Sequence, residues 1–348
     1  MKYRLLGSSS LRVSELSLGA MTFGEETGIG ASEEVSKAVY DAYLEQGGNF
    51  IDTANIYTLG SSERMLAKFI GANRDDLVVA SKYSMTTDPA RLNAGGNHRK
   101  NLTQALEMSL QRLNTDFIDL YWVHGWDQVT PVGEVMRALD DMVRAGKILH
   151  IGISNAPAWY IAEANALARE RNMTPFTAMQ LHYSLVERGI EADYFDLAKA
   201  HDMAILAWSP LAGGLLTGKF TATDGSVDLS DSRLKNSPWG GAFLVEDRLA
   251  IARGVGELAA EMGVSSSQLA LAWLLQRPAG AVIPIVGAKK PEQLRENLGC
   301  LDVQLSAEQI DRLDALNPLK LGYPHSLLQN DIYQAMIHGE LRGQLLRD

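Results

Sequence analysis

The feature that most constrains this chain is a regular alternation of short apolar segments with longer amphipathic ones. The short segments are rich in aliphatic side chains, and between them apolar residues recur every three or four positions. This alternation is typical of repeated strand–helix units, which build a parallel sheet. The eight strand candidates are LSLGAMTF (16–23), NFIDTA (49–54), LVVASK (77–82), DLYWVH (119–124), HIGIS (150–154), TAMQLHY (177–183), AILAWSPL (204–211) and VIPIVGA (282–288).

Eight strands of this kind are the number that closes a (β/α)₈ barrel. Most of them are nearly continuous apolar runs, as expected of strands that are covered on both faces. A chain of 348 residues is long enough for one such barrel with additions. We therefore predict an α/β protein with a single (β/α)₈ TIM barrel domain over residues 1–348, the barrel itself spanning about 15–317.

Three segments exceed the simple repeat. Residues 1–14 are expected to form an N-terminal hairpin that closes one end of the barrel. The segment 217–245 is rich in Gly, Ser and Asp, and it predicts a long loop after the seventh strand, over the active face. The C-terminal tail 318–348 contains two prolines and several apolar residues, and we expect it to pack over the same face as a lid.

Local signals also predict where several helices begin. Ser32 is a candidate N-cap, with two glutamates directly after it. Asn101 precedes a stripe of leucines, which predicts a helix over these residues. Ser306 and Gln309 have the spacing of a capping box.

Composition excludes several classes of protein. The only cysteine, Cys300, cannot form an internal disulfide, which fits a reducing compartment. The net charge of −10 argues against general affinity for nucleic acid or anionic membranes. The N-terminal segment lacks the apolar stretch of a secretory signal, and no run approaches the length of a membrane span. We expect a cytoplasmic protein with a small-molecule partner, no nucleic-acid or membrane partner, and an oligomeric state that is compatible with a homo-oligomer.

Polar residues occur where the apolar strands end. In TIM barrels the carboxyl ends of the strands form the active face, because the βα loops converge there. A charge at the end of an apolar strand is unfavourable unless it is paired or functional. The residues in these positions are Asp52, Lys82, His124, Ser154, Asn155, Gln180 and Ser209, and Tyr57 follows Asp52 closely enough to fold back over the barrel mouth.

Four of these side chains together suggest proton-transfer chemistry. A tyrosine is a poor acid near its reference pKa of about 10. An ammonium on Lys82 would stabilise the phenolate of Tyr57 and lower that pKa, while Asp52 would hold Lys82 and His124 would orient a carbonyl oxygen. Each residue alone has an ordinary interpretation as a cap, a solvated strand end or a packed ring. Their shared position at one face favours a site.

The sequence resembles the aldo-keto reductase family. The resemblance runs from about residue 3 to residue 317 and is closest to the bacterial and fungal branch that acts on aryl alcohols. It implies a (β/α)₈ barrel enzyme that reduces aldehydes or ketones to alcohols reversibly, with Asp52, Tyr57, Lys82 and His124 as the catalytic tetrad and Tyr57 as the proton donor. The segments that carry it are FIDTANIYTLGSSERMLAKFI (50–70), VVASKY (78–83), DFIDLYWVHGWD (116–127), IGISN (151–155), LAWSPLAGGLLTGKF (206–220) and VGAKKPEQLRENL (286–298).

The resemblance also implies a nicotinamide cofactor, with no metal, and the chain has no GxGxxG motif of a Rossmann site. Trp208 would stack on the nicotinamide. Lys289 and Arg233, with Lys290 nearby, would supply positive charge for a 2′-phosphate and so favour NADPH/NADP⁺. NADH stays open because many relatives carry arginine at the position of Gln293. The other residues implied to bind cofactor are Gly19, Ala20, Met21, Asp52, Ser154, Asn155, Gln180, Ser209, Pro210, Leu211, Ala212, Gly213, Lys219, Gly287, Ala288, Glu296 and Asn297.

The walls of the substrate slot are expected to be mainly apolar and aromatic. Ordinary packing is the alternative interpretation for several of them. The candidates are Met21, Tyr57, Tyr83, His124, Trp126 and Phe243.

Two other functions fit parts of the pattern. The β subunits of voltage-gated potassium channels resemble this chain around WSPL and share the barrel and the nicotinamide, yet serve largely as regulators. They lack histidine at the position of His124, and its presence here favours an enzyme. A barrel isomerase or lyase with Lys82 as a Schiff base would leave the WSPLAGG and AKKPEQLREN segments unexplained.

Overall fold

A computed structural model describes residues 1–28, 30–219 and 244–339. In it, eight parallel strands close into a barrel in the order β10-β3-β4-β5-β6-β7-β8-β9. This confirms the predicted (β/α)₈ barrel. The ten strands along the chain are β1 (Tyr3–Leu5), β2 (Arg12–Ser14), β3 (Ser17–Gly19), β4 (Phe50–Asp52), β5 (Val78–Tyr83), β6 (Ile118–Val123), β7 (Ile148–Ser154), β8 (Phe176–His182), β9 (Ala204–Trp208) and β10 (Val282–Val286).

Helices surround the barrel in the described ranges. Side chains that point outward from the strands pack against them in the larger hydrophobic cluster. The helices are α1 (Glu33–Glu45), α2 (Ser61–Ile70), α3 (Arg99–Leu113), α4 (Val132–Arg144), α5 (Ala158–Glu170), α6 (Tyr194–His201), α7 (Glu246–Met262), α8 (Ser266–Leu275), α9 (Pro291–Leu298), α10 (Ala307–Leu316), α11 (His325–Leu328) and α12 (Asp331–His338).

The N-terminal hairpin forms the floor of the barrel, as predicted. Strands β1 and β2 pair antiparallel. Leu6 and Val13 are fully buried and pack with the inward side chains of the barrel strands, including Phe50 and Val78 at the amino ends of β4 and β5. The catalytic candidates lie at the opposite, carboxyl ends of the strands, so the floor and the active face are separate.

Capping residues set the helix starts largely as the sequence indicates. Ser32 accepts a hydrogen bond from the amide of Val35, and Ser306 and Gln309 form the predicted capping box. The helix that carries the leucine stripe is α3, which begins at Arg99, and the ring of His98 caps it by accepting from the Asn101 amide. The aromatic cap was missed because histidine is not a usual N-cap residue.

Two segments, the loop 217–245 and the tail 318–348, are predicted to lie over the active face. Residues 220–243, the greater part of the 217–245 loop, lie outside the described residues, and so do Arg233 and Phe243. In the tail, α11 and α12 bury no residue, and His325 Nε2 lies 3.0 Å from Asp193 Oδ1, in the segment between β8 and α6. Its role as a lid stays a prediction.

A helix that spans a membrane must meet two requirements, sufficient length and sufficient apolarity. Within the described ranges, no single helix satisfies them. The bent pair α7 and α8 satisfies them only when the two helices are taken together.

Candidate active site

The centre of the site is a buried lysine that contacts an acid and a phenol. Lys82, at the end of β5, is completely buried, and its Nζ donates to Asp52 Oδ2 at the end of β4. The same Nζ lies 2.7 Å from the Thr53 carbonyl oxygen and 3.1 Å from Tyr57 Oη. The structure thus brings together three of the four residues that the sequence predicts for proton transfer, and it joins them through one ammonium group.

The turn after β4 holds Tyr57 over the barrel mouth. The two residues that follow it, Thr58 and Leu59, adopt left-handed conformations with φ of 45° and 54°. Thr58 Oγ1 donates to the Phe23 carbonyl oxygen at 2.6 Å and accepts from the Ser62 amide at 3.1 Å. A hydroxyl that links two other segments compensates for a backbone conformation that β-branched residues rarely adopt. The tyrosine is therefore fixed by its neighbour.

Electrostatics in this pocket are set by burial and by mutual attraction. Burial pulls the pKa of Lys82 down, but Asp52 and Tyr57 more than offset it, so the pKa lies above its usual value. Burial raises the pKa of Asp52, while Lys82 and Gln180 favour the charged carboxylate. A protonated Lys82 against an ionised Asp52 follows from this geometry.

The expected lowering of the Tyr57 pKa is not the net result. Burial raises the pKa of this phenol, Lys82 pulls it down, and the negative charge of Asp52 pushes it up again. Burial prevails because a phenolate loses its hydration inside the protein. Tyr57 consequently stays protonated at neutral pH, the state that an acid needs before it donates.

His124 completes the tetrad as a neutral ring. Its ring lies edge-on to that of Tyr57, with centroids 5.8 Å apart. Burial, with help from the charge of Lys82, lowers the pKa of His124 to about 3. The imidazole is therefore uncharged at neutral pH and carries one N–H donor.

Three predicted carboxamide ligands are tied into the protein. Gln180 Nε2 donates to Asp52 Oδ1 at 2.8 Å. Asn155 Nδ2 donates to Ser154 Oγ at 2.9 Å and to the His124 carbonyl oxygen at 3.0 Å. Asn155 Oδ1 accepts from Trp208 Nε1 at 3.2 Å. Asn155 therefore connects Trp208, the residue predicted to stack on the nicotinamide, with the backbone of His124.

A stacked pair of rings marks the end of β8 and β9. His182 and Trp208 pair across the strand ladder, and their rings lie parallel with centroids 4.1 Å apart. Sequence reasoning missed His182. Its position two residues after Gln180 on the same strand gives it the same inward face, and that spacing was the available signal.

The predicted cofactor residues of β9 and β10 line one cleft. Cationic side chains and close-packed glycine backbone, a combination suited to phosphate groups, form its walls. The residues predicted from sequence are Leu211, Gly213, Lys219, Gly287, Ala288, Lys289, Lys290, Gln293, Glu296 and Asn297, and those that the sequence did not indicate as cofactor contacts are Thr22, Gly214, Thr217 and Ser267.

The turn after β9 shapes this cleft. Ser209 and Ala212 have left-handed φ of 54° and 50°, and Gly213 and Gly214 follow with 68° and 104°. The Gly213 amide donates to Ser209 Oγ at 3.0 Å. Pro210 and Ala212, which are part of this turn, are buried.

The amino-terminal wall follows β3. Gly19 pairs with Asp52 in the barrel, and the Ala20 amide donates to the Asp52 carbonyl oxygen at 2.9 Å. Both are buried, and Met21 next to them is exposed. These residues therefore connect the acid of the tetrad with the cleft.

The substrate prediction for Tyr83 is wrong. It is fully buried on the outer side of β5, where it stacks on Tyr121 with ring centroids 5.6 Å apart and donates to the Asn97 carbonyl oxygen. Successive strand residues face opposite sides, so Lys82 points inward and Tyr83 outward. Trp126 lies beyond His124 in an aromatic group with Trp159 and Tyr160.

The tetrad, the inward rings and the basic cleft occupy one face of the barrel, and the sequence from residue 15 to residue 318 matches the model of the Aldo/keto reductase family. The chain belongs to the aldo/keto reductase family. Among its relatives, a norsolorinic acid reductase of Aspergillus flavus is 35% identical over 337 residues, which cover 94% of this chain and 84% of the relative. An aryl-alcohol dehydrogenase [NADP(+)] of Phanerodontia chrysosporium is 33% identical over 358 residues, covering 96% and 90%.

Membership of the aldo/keto reductase family makes this chain an oxidoreductase, and its relatives support carbonyl reduction. Aldo-keto reductases use nicotinamide cofactors. The described residues fit such a group, because Lys219, Lys289 and Lys290 line the cleft and Trp208 ends β9, three residues before Leu211 of the cleft wall.

Proposed function

We propose that this aldo/keto reductase reduces aldehydes and ketones to alcohols, reversibly, with NADPH. The observation that carries the proposal is the contact of one buried ammonium, on Lys82, with both the Asp52 carboxylate and Tyr57 Oη. That arrangement holds a protonated phenol beside a positive charge at the barrel mouth, as general acid catalysis requires.

When bound, the cofactor supplies a hydride to the carbonyl carbon. Tyr57 Oη gives its proton to the carbonyl oxygen as the C=O π bond opens, so the product is an alcohol and the enzyme retains a phenolate. Lys82 stabilises that phenolate, and Asp52 holds the ammonium in place. Neutral His124 donates a hydrogen bond to the carbonyl oxygen and orients it. In the oxidative direction the phenolate takes the proton back.

The basic cleft supports NADPH over NADH. Lys289 lies in the cleft, and its backbone amide donates to Gln293 Oε1 at 3.0 Å, so the two residues hold each other at the start of α9. Lys219 and Lys290 add positive charge to the same cleft. A 2′-phosphate would be the group that meets these cations.

Aromatic carbonyl compounds are the substrate class that we propose. Relatives carry the names aryl-alcohol dehydrogenase and norsolorinic acid reductase. The rings of Trp126 and Trp159 meet edge to face at 5.5 Å in the loop region beside His124, and Trp159 is 58% exposed. Exposed aromatic faces favour flat aromatic ligands.

The decisive test is Tyr57→Phe, which removes only the phenol oxygen. We expect carbonyl reduction to fall by at least about 10², while NADPH binding stays within about twofold, because a general acid is lost and the cleft is intact. Turnover is followed at the nicotinamide absorbance with paired aryl and alkyl aldehydes, and binding by NADPH fluorescence. Tyr323→Phe, in the exposed tail, is the matched control.

Near-normal turnover by Tyr57→Phe would contradict the assignment of the proton donor. A wild-type chain that binds NADPH and turns over no carbonyl or alcohol in the panel would instead support a nicotinamide-binding regulatory subunit.

Cofactor preference is tested with Lys289→Ala. We expect the Kd of NADPH to rise by about tenfold or more and that of NADH to change little, because the lost charge faces only the 2′-phosphate. Lys147→Ala, whose ammonium pairs with Glu107 elsewhere, is the control. Equal losses for both cofactors would mean that the 2′-phosphate binds at another position.

A further inference from the structure

We infer that Trp122 is a positioning residue that holds the Asp52 carboxylate through its indole N–H. Trp122 lies in β6 and is completely buried inside the barrel, among the inward side chains Phe50, Ala80 and Leu120. It pairs across the strand ladder with Lys82, so its ring shares the layer of the barrel that carries the ammonium.

The orientation of the indole follows from its other neighbour. Gly152 pairs with Trp122 on β7, and a Cβ placed on that glycine would lie 2.3 Å from Cζ3 and 2.4 Å from Cε3 of the indole. These two carbons form one long edge of the ring, and Nε1 belongs to the opposite edge. The glycine therefore makes room for the benzo edge, and the N–H is turned toward the side of β5 and β4, where Lys82 and Asp52 lie.

The indole nitrogen needs a partner there. Nε1 is buried and has no hydrogen-bond partner among the described residues, and a buried donor without an acceptor is unfavourable. The adjacent acceptor is the Asp52 carboxyl, whose pKa the indole lowers together with Lys82 and Gln180. Lys82 Nζ donates to Oδ2 and Gln180 Nε2 donates to Oδ1. The indole N–H, turned toward the same side of the barrel, is the third donor that we infer for this carboxylate.

This arrangement has a functional consequence that rests on the proposed reductase activity. Asp52 is only 2% exposed, and burial raises its pKa, so each neighbouring donor that favours the carboxylate opposes that rise. An ionised Asp52 holds Lys82 protonated, and the ammonium stabilises the phenolate of Tyr57. The charged and titratable groups that face this cluster are Lys82 from β5, Tyr57 from the turn after β4 and His124 from the end of β6. Trp122 acts on the reaction only through Asp52.

The kinetic test is Trp122→Phe, which keeps a ring and removes the N–H. We expect kcat to fall by about tenfold with the KM for NADPH unchanged, since a hydrogen bond to a charged group is lost. We also expect the acid limb of the kcat–pH profile to move to higher pH by about one unit, because Asp52 becomes easier to protonate. Trp273→Phe is the matched control, since Trp273 is also fully buried and donates to a carboxylate, Asp314, at 2.9 Å. A purely structural role would lower the melting temperature and leave the pH profile unmoved, which would overturn the inference.

A second measurement does not depend on activity or on that variant folding. In protein labelled with ¹⁵N-tryptophan, the Trp122 indole ¹H–¹⁵N resonance should shift in Asp52→Asn, and the Trp273 resonance should not. The peak is assigned by its loss in Trp122→Phe or, failing that, by single Trp→Phe variants of the other five tryptophans. An unmoved Trp122 resonance overturns the inference even in an active enzyme. A shifted resonance in a chain that reduces no carbonyl keeps the contact and rejects the proposed function.

Discussion

Adjacent residues of one strand perform unrelated tasks in this protein. On β5, Lys82 points into the barrel and contacts the Tyr57 phenol, while Tyr83 points outward and stacks on Tyr121. The sequence revealed the lysine because a charge at the end of an apolar strand needs a reason. It misplaced the tyrosine because a strand that is apolar on both faces carries no pattern that distinguishes inside from outside. The same ambiguity concealed Trp122.

Stability should depend on pH through His124. Burial lowers its pKa from the usual value of about 6.5 to about 3 in the folded protein. Between pH 3 and pH 6.5 the imidazole is protonated in the unfolded chain and neutral in the folded chain. The free energy of unfolding is therefore highest above about pH 6.5, and it falls by up to about 1.4 kcal/mol for each pH unit below that.

The measurement is urea unfolding from pH 8 to pH 4 for wild type and His124→Gln. The variant should lose part of the slope below pH 6.5, and His338→Gln, in the tail, should retain it. Parallel curves for wild type and His124→Gln would show that the ring is protonated in the folded state.

At the scale of elements, the sequence predicted existence and order better than ends. Candidate strands ran past their carboxyl ends, as at 16–23, where the structure has β3 at Ser17–Gly19. Beyond it the chain turns, and the Phe23 amide donates to the Ala20 carbonyl oxygen. Apolarity continues through such turns because they are buried at the active face, so hydropathy does not mark where the ladder stops. Capping residues do mark helix starts, because they satisfy particular amides.

The hairpin should matter for stability and not for chemistry. Leu6→Ala removes a fully buried side chain from the floor, and we expect a loss of about 2–5 kcal/mol in the free energy of unfolding. Leu5→Ala is the control, since Leu5 is 54% exposed. Unfolding by urea and kcat at 25 °C are the two measurements. A large fall in kcat in folded Leu6→Ala would mean that the floor shapes the active face.

At the scale of the whole molecule, one buried ionic cluster joins segments that are far apart in sequence. Glu191 contacts Arg188 Nε at 2.7 Å and Arg277 Nη2 at 2.9 Å, and Arg277 also contacts Asp314 of α10 at 3.0 Å. Both arginine side chains are at least 93% buried. No local pattern predicts the whole cluster, because Arg277 and Asp314 reach the local pair Arg188 and Glu191 only when the chain has folded.

Glu191→Gln should therefore be severe. The change leaves two buried guanidinium groups with less negative charge, and we expect a loss of about 3–5 kcal/mol in the free energy of unfolding, measured in urea. Glu261→Gln is the same substitution in the exposed pair with Arg312 and should have little effect. Similar small losses in both variants would show that Asp314 alone suffices for the arginines.

The hairpin that closes the lower end of the barrel also affects the order in which ligands bind and leave. Leu6 and Val13 pack against the inward side chains and fill the lower end of the barrel, so this end is closed to ligands. Two reactants that meet at the opposite, carboxyl end approach from the same side, and the one that lies deeper must bind first and leave last. The shape of the barrel then sets the order in which the two reactants bind, whatever their relative affinities.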